Sequence, residues 1–299
     1  MAKRILLAVI LGFSIFQSSR ACDACGCSIS GGGLGMLTAY RNNFVGLGWQ
    51  ALSFHGISLY GNSYKDYFQS FNLTARYHFT NRFKALLIQP YNLNIRYSDE
   101  ETLSLHGLAD TRILGSYTFL RNAKLGKQGE LFFELGAGAK LPTGKYDPYI
   151  HQTNLPENFN PGNGSWGLVL QPNAVITHKK AGMIISGNYL FNGRSSTGYH
   201  FGNQATTQLL FFREITISEF TKLIPNAGWV SESVMGDKYV NDKPVKGTGG
   251  QGSFVSTALN LKTSDWMFGL SYSHPITGNY SSGEVKAQGR LSAQLFYNF

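Results

Sequence analysis

Hydrophobic and polar residues alternate along most of this chain, and the alternation is clearest between Lys286 and Phe299. In that stretch the odd positions are small, apolar or aromatic, and the even positions are polar except for Phe296. A period of two is typical of a β-strand with one apolar and one polar face. An edge strand of a soluble sheet can show the same alternation, so the other segments decide which kind of sheet this is.

Similar alternating segments recur from about residue 43 onward and predict twelve strands, each long enough for a tilted strand to cross a membrane. They run at about 43–54, 67–79, 83–97, 107–119, 130–141, 165–177, 182–192, 202–213, 221–233, 252–262, 265–275 and 286–299. The connectors after the second, sixth and tenth segments are tight, and those after odd-numbered segments are mostly longer and rich in Gly, Asn, Pro or Ser. Short turns at one end and long loops at the other are typical of outer-membrane β-barrels.

Charged residues avoid one face of these predicted strands. In the second segment Leu73 and Tyr77 share a face, whereas Thr74 and Arg76 lie on the opposite one. A charge on the lipid face at the bilayer midplane would cost roughly 2–4 kcal/mol, so we predict that charge is directed into the lumen. Aromatic residues near the segment ends suit the membrane interfaces. They are Tyr77, Phe79, Tyr97, Phe119, Trp166, Tyr297 and Phe299.

The composition agrees with a membrane barrel. Charged residues make up 14% of the chain, well below the roughly 25% of soluble domains. The mean hydropathy of −0.14 suits a protein whose outside is apolar and whose inside is polar. The net charge of +9 comes without basic runs, which argues against a nucleic-acid partner. We therefore predict an all-β protein, a transmembrane antiparallel β-barrel of about twelve strands surrounded by outer-membrane lipid.

The first residues have the pattern of a cleaved secretory signal peptide. Two basic residues precede the apolar run 5–16, and the small residues Ser19 and Ala21 follow it. The run is too short to span a membrane as a helix. We predict a bacterial outer-membrane protein with both termini in the periplasm. The predicted organisation is a signal peptide at 1–21, a Cys/Gly-rich segment at 22–42 and a barrel at 43–299.

Three cysteines, Cys22, Cys25 and Cys27, lie within six residues of each other and are the only ones in the sequence. Clustered thiolates are soft ligands that suit Cu(I) or Zn(II), although no fourth ligand is evident. In an oxidising periplasm two of them would instead form a disulfide. Lipidation of Cys22 is a third alternative, which the polar Ser19 fits poorly. The segment 22–42 has a suitable length to plug the lumen or to tether the cysteines.

Two short motifs resemble a known family. They are Gly-Leu-Ala-Asp-Thr at 107–111, followed by Gly-Ser-Tyr-Thr-Phe at 115–119, and Gly-Ala-Gly-Ala-Lys-Leu-Pro-Thr-Gly at 136–144. Together they resemble the outer-membrane proteins associated with meta-pathway phenol degradation. The resemblance implies an outer-membrane transporter, distantly akin to long-chain fatty-acid channels. From the residues alone, Pro142, Thr143 and Gly144 are simply turn formers at the end of a strand.

The last residue, Phe299, resembles the closing residue of outer-membrane barrels, where a terminal Phe is the usual assembly signal. This resemblance implies that the barrel-assembly machinery is a partner.

Seven charged residues are predicted to face the lumen. They are Arg76, Arg96, Asp110, Arg112, Glu134, Lys140 and Arg290. Converging charges of both signs in a pore would bind or orient a polar solute. They would equally serve as filling if they paired with one another, and the sequence does not decide between these alternatives.

The predicted function is a channel or transporter for a small solute, which is hydrophobic, aromatic or metal-related. The alternative is a metal-capture or sensing protein whose barrel anchors the cysteine cluster. An outer-membrane hydrolase is a third and less favoured alternative, because no catalytic triad order or phosphate-binding loop is visible. We therefore predict that the protein is not an enzyme.

Overall fold

A computed structural model describes residues 42–57, 63–153 and 155–299, which form a closed antiparallel β-barrel of twelve strands. The chain segments are β1 (Phe44–Ile57), β2 (Ser63–His78), β3 (Phe83–Ser98), β4 (Thr102–Leu108), β5 (Thr111–Leu125), β6 (Gly129–Leu141), β7 (Ser165–His178), β8 (Ala181–Ser195), β9 (Gln204–Arg213), β10 (Ile215–Thr216), β11 (Lys222–Val234), β12 (Gly250–Lys262), β13 (Trp266–Tyr280) and β14 (Val285–Asn298). The signal peptide predicted at 1–21 and the predicted cysteine segment up to residue 41 lie outside the described residues.

The fourteen segments make twelve barrel strands because two strands are interrupted. Both β4 and β5 pair with β3, on its two halves, and together they form one strand. The short β10 continues β9 in the same register along β11. Pairing of β1 with β14 and of β9 with β11 closes the sheet. Closure leaves no edge strand whose backbone groups would be unpaired in lipid.

The twelve predicted strands are confirmed, with differences in length. Short turns of five residues or fewer join the strands at one end, here called the short-turn end. At the opposite, long-loop end the connectors include 142–164, 196–203 and 235–249. One connector there, residues 99–101, is short although the sequence pattern predicted a longer one, because β4 already begins at Thr102. The strands also extend further at this end, as β13 does to Tyr280.

The predicted facing is confirmed for most strands. In β2, Leu73 and Tyr77 are exposed on the outside, whereas Thr74 and Arg76 are buried in the lumen. Because successive side chains of a strand point to opposite faces, the lipid face stays apolar along the whole strand.

The prediction fails in the first residues of β14. The alternation placed Ala287 on the outer face, but its side chain is buried in the lumen with 6% exposure, while Lys286 and Gln288 are exposed. The register of β14 against β1 shifts by one residue here, so that Gln288 and Gly289 together face Ser53. This bulge exchanges the two faces, and the alternation then continues in register up to Asn298.

Most of the buried apolar residues form two clusters, one at each end of the barrel, and Leu114, Val169 and Leu190 form a third, smaller one. The floor cluster at the short-turn end consists of Phe44, Val175, Ile184, Leu210, Ile224, Met267 and Phe296. The loop cluster at the long-loop end consists of Leu52, Phe54, Phe68, Ile150, Leu155, Phe159, Phe254, Tyr280, Val285 and Ala287. Polar and charged side chains fill much of the lumen between the floor cluster and the loop cluster.

Three short 3₁₀-helices, Ile150–Thr153, Glu157–Phe159 and Ser281–Gly283, complete the described secondary structure. In the part of the chain that the structure describes, no helix has the length and apolar character needed to cross a membrane. Two of the three lie in the connector between β6 and β7, where they shape the loop that carries the candidate site.

Candidate functional site

The connector between β6 and β7, residues 142–164, folds into the long-loop end of the barrel. Three of its apolar side chains, Ile150, Leu155 and Phe159, belong to the loop cluster. Phe159 has 0% exposure, and its ring meets that of Phe68 edge-on with centroids 5.0 Å apart. This loop, here called the plug loop, therefore covers the lumen at that end.

Inward-facing residues of β3 hold the second half of the plug loop. The side-chain amide of Asn92 donates to the carbonyl of Pro161 at 3.0 Å, and that of Asn94 donates to the carbonyl of Phe159 at 2.8 Å. The guanidinium of Arg96 lies 4.8 Å from the centre of the Phe159 ring. Residues two apart in a strand share a face, so these three side chains form one row toward the loop.

The carboxylate of Asp110 fastens both ends of the plug loop. Its Oδ1 accepts a hydrogen bond from the backbone N–H of Gly144 at 3.1 Å, and its Oδ2 accepts one from that of Asn163 at 2.9 Å. The ammonium of Lys140 lies 3.2 Å from Oδ2. Backbone donors and a cation thus occupy both oxygens of a buried carboxylate, which is the arrangement that makes a buried charge tolerable.

The two sequence motifs that resemble a known family meet at this point. The hydroxyls of Thr111 and Thr143 are 2.6 Å apart, and the N–H of Thr111 donates to the Thr143 hydroxyl at 3.0 Å. A Cβ added to Gly144 or Gly162 would come within 2.8 or 2.6 Å of Oδ1 of Asp110, so both positions require glycine. The Leu-Pro-Thr-Gly motif therefore ends a strand and also fastens the loop, which the sequence pattern did not predict.

A β-bulge places the side chain of Asp110 on the lumen face of the barrel. Residues 89–90 of β3 face three residues, 109–111, of the neighbouring strand, so one residue is extra. As a result the consecutive residues Ala109 and Asp110 both face inward with 4% exposure, whereas a regular strand would turn one of them to lipid. Pro90 stands opposite the bulge, and its carbonyl accepts a hydrogen bond from the N–H of Ala109 at 2.9 Å.

A cavity lies in the lumen beneath the plug loop. Its polar lining includes Asn72, Asn92, Arg112, Lys140, Asn163 and Gln294. Ile88, Leu190 and Phe296 contribute apolar surface, and Phe296 is itself a member of the floor cluster. The lining of the cavity thus combines amide and cationic groups with an apolar surface.

All seven charged residues predicted for the lumen lie on the inside of the barrel, and five of them take part in four ion pairs. The pairs are Arg96 with Asp66 at 2.7 Å, Glu134 with Lys84 at 2.6 Å, Lys140 with Asp110 at 3.2 Å and Arg290 with Glu232 at 2.5 Å. Arg76 donates to the carbonyl of Asn42 at 2.7 Å and stacks on Phe44. Of the predicted set, only Asp110, Arg112 and Lys140 line the cavity.

Sequence reasoning missed three of the partners, Asp66, Lys84 and Glu232. Each lies at an inward position of its strand, so the alternation alone carried a signal for its facing. The pairing itself carried none, since Arg290 and Glu232 are 58 residues apart. Sequence reasoning also missed the role of Asn92 and Asn94. An asparagine in the lumen of a barrel is unremarkable until the plug loop is known to lie against it.

The plug loop carries a carboxyl group that titrates near neutral pH. The pKa of Glu157 is raised to about 7, mainly by burial and to a smaller extent by the nearby carboxylates of Asp237 and Asp147, although a hydrogen bond from Tyr146 lowers it. Burial also raises the pKa of Asp237, on the connector 235–249, although Tyr199 donates to it at 2.7 Å. The loop and its neighbour therefore pack acidic groups together in the covering layer.

The remaining predicted site residues do not enter this site. Cys22, Cys25 and Cys27 lie outside the described residues, and in the described ranges no group of three or more His, Cys, Asp or Glu side chains is placed to hold a metal ion. Phe299 is exposed on the outside at the short-turn end, and its N–H donates to the carbonyl of Asn43 at 3.0 Å. Its role as an assembly signal stays a prediction.

No family model and no curated protein sequence matches the chain, so the family suggested by the two motifs stays a prediction. Solved structures do resemble it. An outer membrane channel from Pseudomonas putida F1 superposes with a TM-score of 0.60 at 13% identity, covering 86% of this chain and 96% of that one. The transport unit of the autotransporter AIDA-I from Escherichia coli gives 0.50 at 10% identity, covering 99% and 97%. At these identities the likeness establishes the fold, and that fold is the transmembrane β-barrel of outer-membrane proteins.

Proposed function

We propose that this protein is an outer-membrane channel for a small solute and that the plug loop is its gate. The observation that carries the proposal is a lumen cavity covered by a loop whose two ends are fastened to a single carboxylate, that of Asp110. Such a loop can leave without disturbing the strand pairing that holds the barrel together.

The energetics of the loop contacts support this role. Each hydrogen bond between the plug loop and the amides of Asn92 and Asn94 contributes only about 0.5–1.5 kcal/mol net, and each one to the carboxylate of Asp110 about 1.5–3 kcal/mol, because water replaces these bonds when the loop leaves. The strands, in contrast, are joined by continuous ladders of backbone hydrogen bonds around the closed barrel. Opening of the loop therefore costs far less than any change in the barrel wall.

We further propose the usual orientation of such barrels, with both termini and the short-turn end in the periplasm and the plug loop facing outward. In this orientation a solute reaches the plug loop first and the floor cluster second. Metal capture by Cys22, Cys25 and Cys27 remains the alternative, with Cu(I) or Zn(II) as the ion, and no described residue bears on it.

Liposome swelling with a neutral solute such as arabinose tests the channel. The test variant replaces residues 145–163 by a short Gly/Ser linker, and a lipid-facing variant, Phe268→Leu, is the control. We expect clearly faster swelling for the linker variant than for the wild type or the control. Swelling no faster than in protein-free liposomes, by a variant that is folded by its heat-modifiable mobility on gels, would refute the channel.

A further inference from the structure

Arg112 is a buried cation without a counter-ion in the described structure. Its side chain is 7% exposed, lines the cavity and stands between Ile88 and Lys140 on the neighbouring strands. Its Nε is buried without a hydrogen-bond partner, and no carboxylate of the described residues forms an ion pair with its guanidinium. A buried cation of this kind is stabilised by an anion placed beside it.

The carboxylates of the lumen are already engaged elsewhere. Asp110, the nearest along the chain, accepts from Gly144 and Asn163 and pairs with Lys140. The others, Asp66, Glu134 and Glu232, each pair with a different cation. The cavity consequently holds two cations and one carboxylate, a net charge that is left for an anion to balance. An uncompensated buried charge is costly, so an anion that reaches it is strongly favoured.

The rest of the lining restricts the kind of anion. Neutral amides, those of Asn72, Asn92 and Gln294, surround the charge, and no second free cation is present among the described lining residues. A single guanidinium presents parallel N–H donors that match the two oxygens of a carboxylate. Apolar surface from Ile88, Leu190 and Phe296 lies in the same cavity and would take up a hydrocarbon body.

We propose that this cavity binds a small organic carboxylate, with the carboxylate on Arg112 and its aliphatic or aromatic body against the apolar wall. The inference names the solute class of the lumen and rests on the proposed channel only for the route by which the solute arrives. A doubly charged phosphate fits the site less well, because it lacks an apolar body and needs more than one cation.

Calorimetric titration of the full folded chain in detergent tests the site. The probes are benzoate, its neutral isostere benzamide, and inorganic phosphate. The variants are Arg112→Gln, the charge-conserving Arg112→Lys, and Arg82→Gln, whose side chain is exposed in a short turn outside the lumen. We expect saturable benzoate binding by the wild type and Arg82→Gln, at least about tenfold weaker binding by Arg112→Gln, and partial retention by Arg112→Lys.

Benzamide should bind the wild type at least about tenfold more weakly than benzoate. If Arg112→Gln does not fold, this comparison by itself tests whether the site requires the charge of the carboxylate. Equal binding of benzoate by the wild type and Arg112→Gln would overturn the proposal, as would benzamide binding as tightly as benzoate. Phosphate binding more tightly than benzoate would make this an inorganic-anion site and also overturn it. Because binding in detergent needs no transport, Arg112-dependent binding without flux in liposomes would refute the channel alone, and flux without such binding would refute the site alone.

Discussion

The two ends of the lumen carry buried apolar clusters that are built in different ways. At the short-turn end the floor cluster is built from side chains that each belong to a barrel strand, so none can leave without moving a hydrogen-bonded ladder. At the long-loop end the covering side chains come in part from the plug loop, which hydrogen bonds to Asp110, Asn92 and Asn94 hold in place. If the protein is the channel we propose, we expect the plug loop to move at lower cost than the floor cluster, whose side chains belong to the barrel wall.

The largest expected effect comes from the same substitution at both ends. Phe296→Ala in the floor cluster should lower the free energy of unfolding by about 3–5 kcal/mol, because the cavity lies among strands that cannot close around it. Phe159→Ala, equally buried in the plug loop, should cost the barrel less and should increase solute uptake, because the loop is released. Urea titration and liposome swelling measure the two effects. If both substitutions destabilised the barrel equally and did not differ in solute uptake, the proposed difference between the floor cluster and the plug loop would be wrong.

A smaller effect is expected when Asp110 loses its charge. Asp110→Asn keeps one acceptor oxygen but weakens the charge-assisted bonds to Gly144, Asn163 and Lys140, each worth about 1.5–3 kcal/mol. The variant should fold and should show more frequent openings in single-channel recordings. Asp242→Asn, at an exposed pair with Arg194 on the outer loops, should leave the recordings unchanged. Unchanged gating in both variants would mean that the carboxylate does not fasten the loop.

The pH dependence of solute uptake should follow the protonation of Glu157. Its pKa is about 7 in the closed loop and near 4.5 when the loop is open and solvated, so the closed state binds more protons. Closure is therefore strongest below about pH 4.5 and weakens as the pH rises to about 7. Swelling rates should increase between pH 5 and pH 8 in the wild type, whereas Glu157→Gln should give a flat profile at the low-pH rate. The same rise in the variant would assign the effect to another group, such as Asp237, whose pKa is also raised by burial.

The smallest effect is expected from Thr143→Val. This change removes the hydroxyl contact with Thr111 and the bond from its N–H, and should loosen the plug loop by about 1 kcal/mol or less. Thr216→Val, at the short-turn end, is the control and should not alter uptake. A loss of folded protein with Thr143→Val would show that the motif stabilises the barrel rather than the loop.

The sequence by itself determined the strands and most of their facing. A period of two is a local property of the extended backbone, so the alternation in β2 and β13 was enough to separate lipid-facing from lumen-facing residues. The number of strands and the long and short connectors followed from the same pattern, and so did the inward position of Arg112 and Lys140. No pairing partner needed to be known for any of these.

Only the tertiary structure decided the contacts between residues distant in sequence. The bulges at Ala109 and at Gln288 depend on the register of a neighbouring strand, which the alternation of one strand does not contain. The plug loop is polar and rich in turn formers, as an exposed loop would be, and only the row on β3 and the carboxylate of Asp110 show that it lies inside. Ion pairs such as that of Arg290 with Glu232 form because barrel closure brings the strands together, and this long-range geometry leaves no periodic trace in the sequence.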